Sequence, residues 1–152
     1  MRASIKIVIL WSCFAIFRDG FMYDHVKFVK SYTDSLPQHY FLQLPNTSPK
    51  KRDLTLVYND FYKGNLIKQI IGVAGDHVWY DQEQRLWVND QCVGSCRLNT
   101  DSGKKLTAIS SQVIPEGYVF LYAPHSESFD SRYQEVGLVP VTQLHGKLIA
   151  LW

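Results

Sequence analysis

Two residues of this chain, a serine in a turn and a lysine in an apolar segment, have settings that could support catalysis. Ser35 lies in Thr33-Asp-Ser-Leu-Pro37, and Lys68 lies in Leu66-Ile-Lys-Gln-Ile-Ile-Gly-Val-Ala-Gly-Asp76. A serine hydroxyl needs a base to take its proton, and a lysine can be that base only when burial keeps it neutral. The turn would also leave the backbone N–H of Ser35 free to stabilise an oxyanion, with the hydroxyl of Thr33 as a second donor. One hypothesis is therefore an active site in which Ser35 is the nucleophile and Lys68 is its base.

Each residue also has a structural interpretation. Lys68 could face outward on a sheet with one buried side, and a serine in such a turn is most often a turn former. A Ser-His-Asp triad is open as well, because the chain contains five histidines: His25, His39, His77, His125 and His145. None of the sequence contexts matches a triad motif such as Gly-x-Ser-x-Gly. The residues alone therefore leave the nucleophile and its base undecided.

A third polar segment, Ser128-Phe-Asp-Ser-Arg-Tyr133, is followed by Gly137-Leu-Val-Pro140. Asp130 and Arg132 would ordinarily be a solvated charge pair that contributes little to stability. The aromatic residues around them indicate partial burial, which would make the pair structural.

The elements that must position these residues are short strands. Runs of β-branched, aliphatic and aromatic residues between turn signals predict strands over residues 40–44, 54–58, 66–73, 77–80, 85–89, 113–122 (after a turn at 115–117) and 148–152. Residues 98–111 are polar and predict a loop. With no amphipathic helix beyond the N-terminal segment, the pattern indicates a mainly β, antiparallel and barrel-like domain.

Composition limits the class of protein. A chain of 152 residues with 46% hydrophobic content can form one domain with a real core, and a net charge of +2 gives no sign of a nucleic-acid-binding surface. Cys92 and Cys96 frame a hairpin-sized loop and could form a disulfide in an oxidising compartment, with two free thiols as the alternative. A zinc site would need ligands that the sequence does not offer near them.

Residues 1–30 are interpreted as a hydrophobic anchor and the segment that leads out of it. Arg2 and Lys6 precede an apolar run, Ile7–Phe17, which is shorter than the roughly 20 residues of a typical membrane-spanning helix. The basic residues would hold that end in the cytoplasm and send the rest across. A cleaved signal peptide and a buried core helix are the alternatives, although no small-x-small cleavage site follows Phe17.

Together the three polar segments resemble the signal peptidase I family, in which a serine attacks a peptide bond and a lysine is its general base. Residues 66–76 resemble the block that contains the lysine, and residues 128–132 with 137–140 are similar to the last conserved block. Residues 86–89 and 146–152 also resemble strands of that fold. The resemblance extends over residues 31–152, which it identifies as the catalytic domain, and the order of the blocks makes it specific.

The resemblance implies a role for each candidate residue. Ser35 would be the nucleophile and Lys68 the general base. Ser128 would hydrogen-bond and orient the lysine amine, while Asp130 and Arg132 would form an ion pair that shapes the site. No metal ion or organic cofactor is implied.

The serine segment indicates a branch of the family. General leader peptidases usually place methionine after the nucleophile, whereas Leu36 follows here. Thr33-x-Ser35-x-Pro37 resembles the conjugative-transfer peptidases of the TraF type, which mature pilin subunits for a type IV secretion apparatus. The sequence departs from the family at Gln38-His39, where a glycine is expected, at Gln69, where a basic residue often follows the lysine, and at 124–127, where leader peptidases have Gly-Asp-Asn.

The resemblance therefore implies a serine endopeptidase anchored in the bacterial inner membrane, with its catalytic domain in the periplasm. Its partners would be the lipid bilayer and an exported precursor protein, most specifically a propilin, which it would hydrolyse or cyclise by transpeptidation. A general leader peptidase is the nearest alternative; the hydrophobic N-terminus argues against a self-cleaving repressor. A non-enzymatic, membrane-tethered assembly domain is the alternative of a different class.

Overall fold

Short β-strands dominate the computed structural model, which describes residues 26–97, 99–100 and 102–151. The strands are β1 (Lys27–Lys30), β2 (Tyr40–Leu44), β3 (Leu54–Asn59), β4 (Gly64–Gly72), β5 (His77–Tyr80), β6 (Leu86–Val88), β7 (Gln91–Gly94), β8 (Gln112–Val113), β9 (Tyr118–Tyr122), β10 (Val139–Pro140) and β11 (Lys147–Ala150). A single 3₁₀ turn is described, at Val141–Gln143. The prediction of a mainly β protein is confirmed.

The strands form two antiparallel sheets. The larger has the order β1-β2-β11-β3-β4-β9-β10, and the smaller has the order β7-β6-β5-β8. The larger sheet ends in β1 on one side and β10 on the other, so the described residues form no closed barrel, and that part of the prediction is wrong. β10 is only two residues long and ends in Pro140, which has no backbone N–H with which to continue the pairing.

β4 contributes to two of the three hydrophobic clusters formed by the described residues. Leu66, Lys68 and Ile70 are buried on one face of the strand, as the two-residue period of a β-strand requires. The register against β9 then shifts between Ile70 and Gly72, so Ile71 is buried as well. Ile70 packs in the cluster around Val119 and Leu121, whereas Ile71 packs with Val78, Val88 and Phe120 beneath the smaller sheet. The bulge thus lets one strand contribute to both clusters.

Six of the seven predicted strands are found, with ends that differ by at most two residues. The seventh, predicted over 113–122, is divided into β8 and β9, and β7 occupies residues that were predicted to form a loop. β1 pairs with β2 although its residues were assigned to the segment leading out of the anchor, so the sheet begins before residue 31. β10 was not predicted. The predicted anchor falls mostly on residues 1–25, outside the described residues, and none of the helical structure described after them is long and apolar enough to cross a bilayer.

Candidate active site

Lys68 lies on the inward face of β4 and is almost completely buried, with 2% of its surface exposed. It pairs across the sheet with Thr55 of β3, which is itself fully buried. Its ammonium nitrogen Nζ donates a hydrogen bond of 2.7 Å to Ser128 Oγ. The interpretation of Lys68 as an outward-facing surface lysine is therefore wrong.

Burial changes the protonation equilibrium of Lys68. Removal from water disfavours the charged amine and lowers its pKa from 10.5 to about 8. The negative charge of Asp130 opposes this effect, and the positive charge of Arg132 adds to it. A lysine with this pKa is neutral in about one molecule in ten at pH 7, several hundredfold more often than an ordinary lysine, and a general base requires the neutral form.

Ser35 lies in the hairpin loop that connects β1 to β2. The loop is closed by a hydrogen bond of 2.7 Å from the Ser31 N–H to the His39 carbonyl. Leu36, which follows the serine, is buried against Phe41 and Leu148 and anchors the loop to the larger sheet. Ser35 itself is half-buried. Its neighbour Leu36 is buried in the core and thereby fixes the part of the loop that contains Ser35.

One groove of about 980 Å³ is lined by both Ser35 and Lys68, together with Thr33. The Thr33 hydroxyl oxygen is 3.5 Å from Ser35 Oγ, at the limit of a hydrogen bond. Within the described residues, Lys68 donates to Ser128 and not to Ser35. The backbone N–H of Ser35 donates no hydrogen bond there either, so it is available to a ligand in the groove.

Asp130 and Arg132 form a buried ion pair behind Ser128. Arg132 Nε lies 2.9 Å from Asp130 Oδ1, and its terminal nitrogen lies 3.0 Å from Oδ2, which makes the pair bidentate. The same terminal nitrogen donates to the Ser128 carbonyl at 3.0 Å. Burial opposes the charge of Arg132, but the hydrogen bond and charge of Asp130 raise its pKa, so the guanidinium stays protonated. The pair thus fixes the backbone that presents the Ser128 hydroxyl to Lys68.

The segment around Ser128 is fastened to β9 by Ser131. The Leu121 N–H donates to Ser131 Oγ at 2.9 Å, and the Ser131 N–H donates to the Leu121 carbonyl at 2.9 Å. Asp130 Oδ2 accepts a further hydrogen bond of 3.1 Å from the Ala123 N–H. These contacts satisfy backbone groups that a paired strand would otherwise satisfy, and they place Ser128 beside β4.

One side of the groove was not predicted from the sequence. Four aromatic residues stack there and are called the aromatic wall: Phe61, Tyr62, Phe129 and Tyr133. The ring centroid of Phe129 lies 5.5 Å from that of Phe61 and 6.0 Å from those of Tyr62 and Tyr133. The signal was present in the sequence, because Phe61 and Tyr62 occupy the tight turn that precedes the lysine strand, and Phe129 follows Ser128.

The histidines do not form the alternative site. His25 lies outside the described residues, and of the other four only His125 lines the groove. His125 Nδ1 accepts a hydrogen bond of 3.2 Å from the Glu127 N–H. None of the described histidines makes an ion pair with a described carboxylate, so this part of the chain contains no Ser-His-Asp triad.

Cys92 and Cys96 are both free thiols in the described structure, which corresponds to the alternative to the possible disulfide. Cys92 is exposed on β7, whereas Cys96 turns inward after Gly94, which has a φ of 89°. Cys96 Sγ contacts the Arg132 carbonyl at 3.5 Å and the Tyr80 hydroxyl at 3.7 Å. Burial raises the pKa of the Cys96 thiol, which therefore stays protonated and weakly reactive.

Comparison with known proteins gives one matching family and several similar individual proteins. The family described as "Signal peptidase, peptidase S26" matches residues 1–152. A probable conjugal transfer protein TraF of Sinorhizobium fredii (strain NBRC 101917 / NGR234) is 32% identical over 81 residues, 53% of this chain and 42% of that protein. Signal peptidase I of Pseudomonas fluorescens is 25% identical, with 58% of this chain and 43% of that protein covered.

A crystal structure of a signal peptidase I from Enterococcus faecalis V583 has a TM-score of 0.45 and 22% identity. That comparison covers 66% of this chain and 97% of that one. The aligned part of the chain spans less than half the length of either sequence relative.

Proposed function

The chain belongs to the signal peptidase family, peptidase S26, and from that premise we propose that it is a serine endopeptidase with Ser35 as nucleophile and Lys68 as general base. The observation that supports this most strongly is the setting of Lys68. Its amine is buried, has a pKa of about 8, and is held by Ser128 at the edge of a groove that Ser35 also lines. A lysine without a chemical role is rarely buried in this way.

In the proposed reaction, neutral Lys68 Nζ removes the proton of Ser35 Oγ as the oxygen attacks the scissile carbonyl. The oxyanion is stabilised by the Ser35 N–H and the Thr33 hydroxyl. Protonated Lys68 then returns its proton to the leaving amine, the peptide bond breaks, and an acyl-enzyme forms on Ser35. Lys68 next activates the second nucleophile, which is water in hydrolysis or an amine of the substrate in cyclisation. Ser128 keeps the amine in one orientation through both steps.

The proposed substrate is an exported precursor protein, and specifically a propilin of a conjugative type IV secretion system. The similarity to a probable conjugal transfer protein TraF supports this choice, as does the Thr33-x-Ser35-x-Pro37 segment. The similarity to signal peptidase I of Pseudomonas fluorescens favours a second candidate, a general leader peptidase. In both cases we place the chain in the bacterial inner membrane, with the groove on the periplasmic side.

The test is processing of candidate propilin and leader-peptide precursors in membranes that contain the wild type, Ser35→Ala or Lys68→Ala. Each variant should lower the rate by at least about 1000-fold, because neither nucleophile nor base can be replaced from within the groove. Ser126→Ala and Lys105→Ala are matched controls, since both residues are exposed and neither lines the groove. Intact mass then separates hydrolysis from cyclisation, whose products differ by one water molecule.

Processing that survives in both Ser35→Ala and Lys68→Ala would overturn the proposed dyad. A membrane-tethered assembly domain would then be the better account, since such a domain should tolerate both changes. Cleavage of leader-peptide precursors alone, with the propilin left intact, would instead support the general leader peptidase.

A further inference from the structure

One basic side chain lies on the aromatic wall without a charged partner among the residues that the structure describes. Lys104 Nζ lies 5.0 Å from the centroid of the Phe61 ring, in the arrangement of a cation–π contact. The residue is exposed and makes no ion pair with a carboxylate in the described part of the chain. The ammonium group is therefore held at the groove and is free to take an anion.

Another part of the groove lining, on β1, has the same sign of charge. Lys27 and Lys30 of β1 also line the groove, and neither is paired with a described carboxylate. Lys30 Nζ lies 5.1 Å from the ring of Tyr32.

The acidic lining residues offset little of this charge. Glu127 is already paired with Arg97 at 3.5 Å, which leaves Asp34 as the acidic residue of the described lining without an ion pair to another described residue. Among the described lining residues, three lysines without such a pair are therefore present beside one such carboxylate, and this part of the lining has an excess of positive charge even with Lys68 neutral.

We propose that the groove selects precursor segments in which an acidic side chain follows an apolar one near the cut, and that Lys104 determines this specificity. The inference rests on the proposed function and names the substrate class of the same site. The aromatic wall supplies a flat apolar surface for the first side chain, and Lys104 supplies the cation for the second.

A precursor segment with an acidic residue after the apolar one should bind better than a segment with a neutral residue at that place. Because the Phe61 ring excludes water from one side of the ammonium group, a carboxylate entering the groove interacts with it at a lower effective dielectric than on open surface. The contact is partly exposed, so the gain is modest and falls with ionic strength. An interaction of this size can discriminate between similar substrates but does not produce tight binding.

The experiment measures binding apart from cleavage. The full chain with Ser35→Ala, in detergent micelles, is titrated into labelled ten-residue peptides of alanine and serine. A Leu-Glu, Leu-Gln or Leu-Lys pair is moved one residue at a time along the peptide, and fluorescence anisotropy gives each Kd. At the favoured position the Leu-Glu peptide should bind about three- to fivefold more tightly than the Leu-Gln peptide at 0.1 M salt, and the difference should vanish near 1 M.

Lys104→Glu, made in the same Ser35→Ala background, should reverse the order so that the Leu-Lys peptide binds best. Lys105→Glu is the matched control, because it changes net charge equally at an exposed neighbour that does not line the groove. It should keep the preference for Leu-Glu. Equal binding of Leu-Glu and Leu-Gln at every position, or the same effect from both variants, would overturn the inference. Cleavage of these peptides by the wild type tests the proposed function separately.

Discussion

The burial that lowers the pKa of Lys68, the proposed general base, works against the stability of the fold. An amine with 2% exposure has lost almost all of its hydration, and a single hydrogen bond to Ser128 only partly replaces it. The nearest opposite charge, Asp130, is already bound in two places by Arg132. The side chain is therefore held where its charged form is unfavourable, which is common at active sites.

The first prediction at the scale of the residue concerns the pH dependence of the reaction. Because the pKa of Lys68 is about 8 and only its neutral form accepts the serine proton, kcat/KM should rise about tenfold per pH unit below that value and level off above it. Initial rates on a propilin or leader-peptide precursor between about pH 6 and 10 give this profile. Lys105→Ala should show the same curve, and a flat wild-type profile would argue against Lys68 as the base.

The second prediction concerns stability. Because one pKa unit corresponds to about 1.4 kcal/mol, a pKa of about 8 in place of 10.5 corresponds to roughly 3 kcal/mol. Below pH 8 the lysine is charged in both the folded and the unfolded chain, so the folded state is destabilised by the full free energy of burying the charged amine. Above 10.5 it is neutral in both, and the cost is absent. Lys68→Met should therefore raise the free energy of unfolding by up to about 3 kcal/mol at pH 7 while abolishing activity.

Urea unfolding of the full chain at pH 7 and near pH 10 checks the second prediction. The increase in the free energy of unfolding from Lys68→Met should shrink as the pH rises from 8 to 10.5. Over that interval the Lys68 amine of the wild type becomes neutral in the unfolded chain as well, so burial of a charge no longer destabilises the fold. Lys105→Met should change stability by no more than about 0.5 kcal/mol at either pH, since that lysine is exposed. A Lys68→Met protein that is less stable than the wild type at pH 7 would contradict this account.

At the scale of the element, the bulge in β4 lets the strand that contains Lys68 contribute to two clusters of the core. The register shift falls between Ile70 and Gly72, just beyond Lys68, so both isoleucines are buried while the lysine keeps its inward direction. Gly72 is required where the two clusters meet. A Cβ at that position would lie 2.5 Å from Ile114 Cδ1 and 2.9 Å from Phe120 Cβ.

Gly72→Ala should therefore destabilise the protein by about 1–3 kcal/mol, because the added methyl group forces side chains of the core apart. Gly64→Ala, at the other end of β4, is the matched control; its Cβ would approach only the Tyr62 ring, at 3.3 Å. Thermal unfolding followed by circular dichroism measures both. An equal loss of stability in the two variants would show that strand propensity, and not packing at the bulge, sets the effect.

At the scale of the whole molecule, the groove lies among elements that are distant in the chain. It is lined by β1 and the serine loop, by the β3–β4 turn, by described residues between Arg97 and Leu106, and by residues between His125 and Tyr133. Its proposed substrate would have to come from the membrane if the apolar run Ile7–Phe17 is an anchor, as the sequence predicts. The anchor is therefore tested separately from the proposed catalytic residues.

The full chain should sediment with membranes and resist extraction by alkaline carbonate. Leu10→Arg with Phe14→Arg should release it into the soluble fraction, because each arginine at the centre of a spanning segment costs about 3 kcal/mol. Leu10→Ile with Phe14→Leu is the control and should stay in the membrane. Retention of the double-arginine chain after carbonate treatment would contradict the predicted anchor, whether or not the precursor is still cleaved.

Local pattern alone predicted most of the strands, because apolar and β-branched residues with turn signals depend only on neighbours in the chain. Leu66–Ile71 indicated a buried strand, and Pro37 placed Ser35 in a turn. The strand β1 was not predicted, since the pattern Lys-Phe-Val-Lys is too short and polar to indicate a strand before its pairing with β2 is known. The inward turn of Cys96 likewise depends on the Arg132 carbonyl, which is far away in sequence.

The sequence by itself determined which residues have the chemistry for catalysis, and its resemblance to a family assigned them roles that stay predictions until Ser35 and Lys68 are tested. Only the tertiary structure decided that Lys68 faces inward, that its amine meets Ser128, and that Ser35 lines the same groove. The physical reason is that desolvation is a property of packing. The pKa of Lys68 is lowered by burial, with Thr55 of β3 beside it and Ser128 at its amine, and no local pattern brings these residues together.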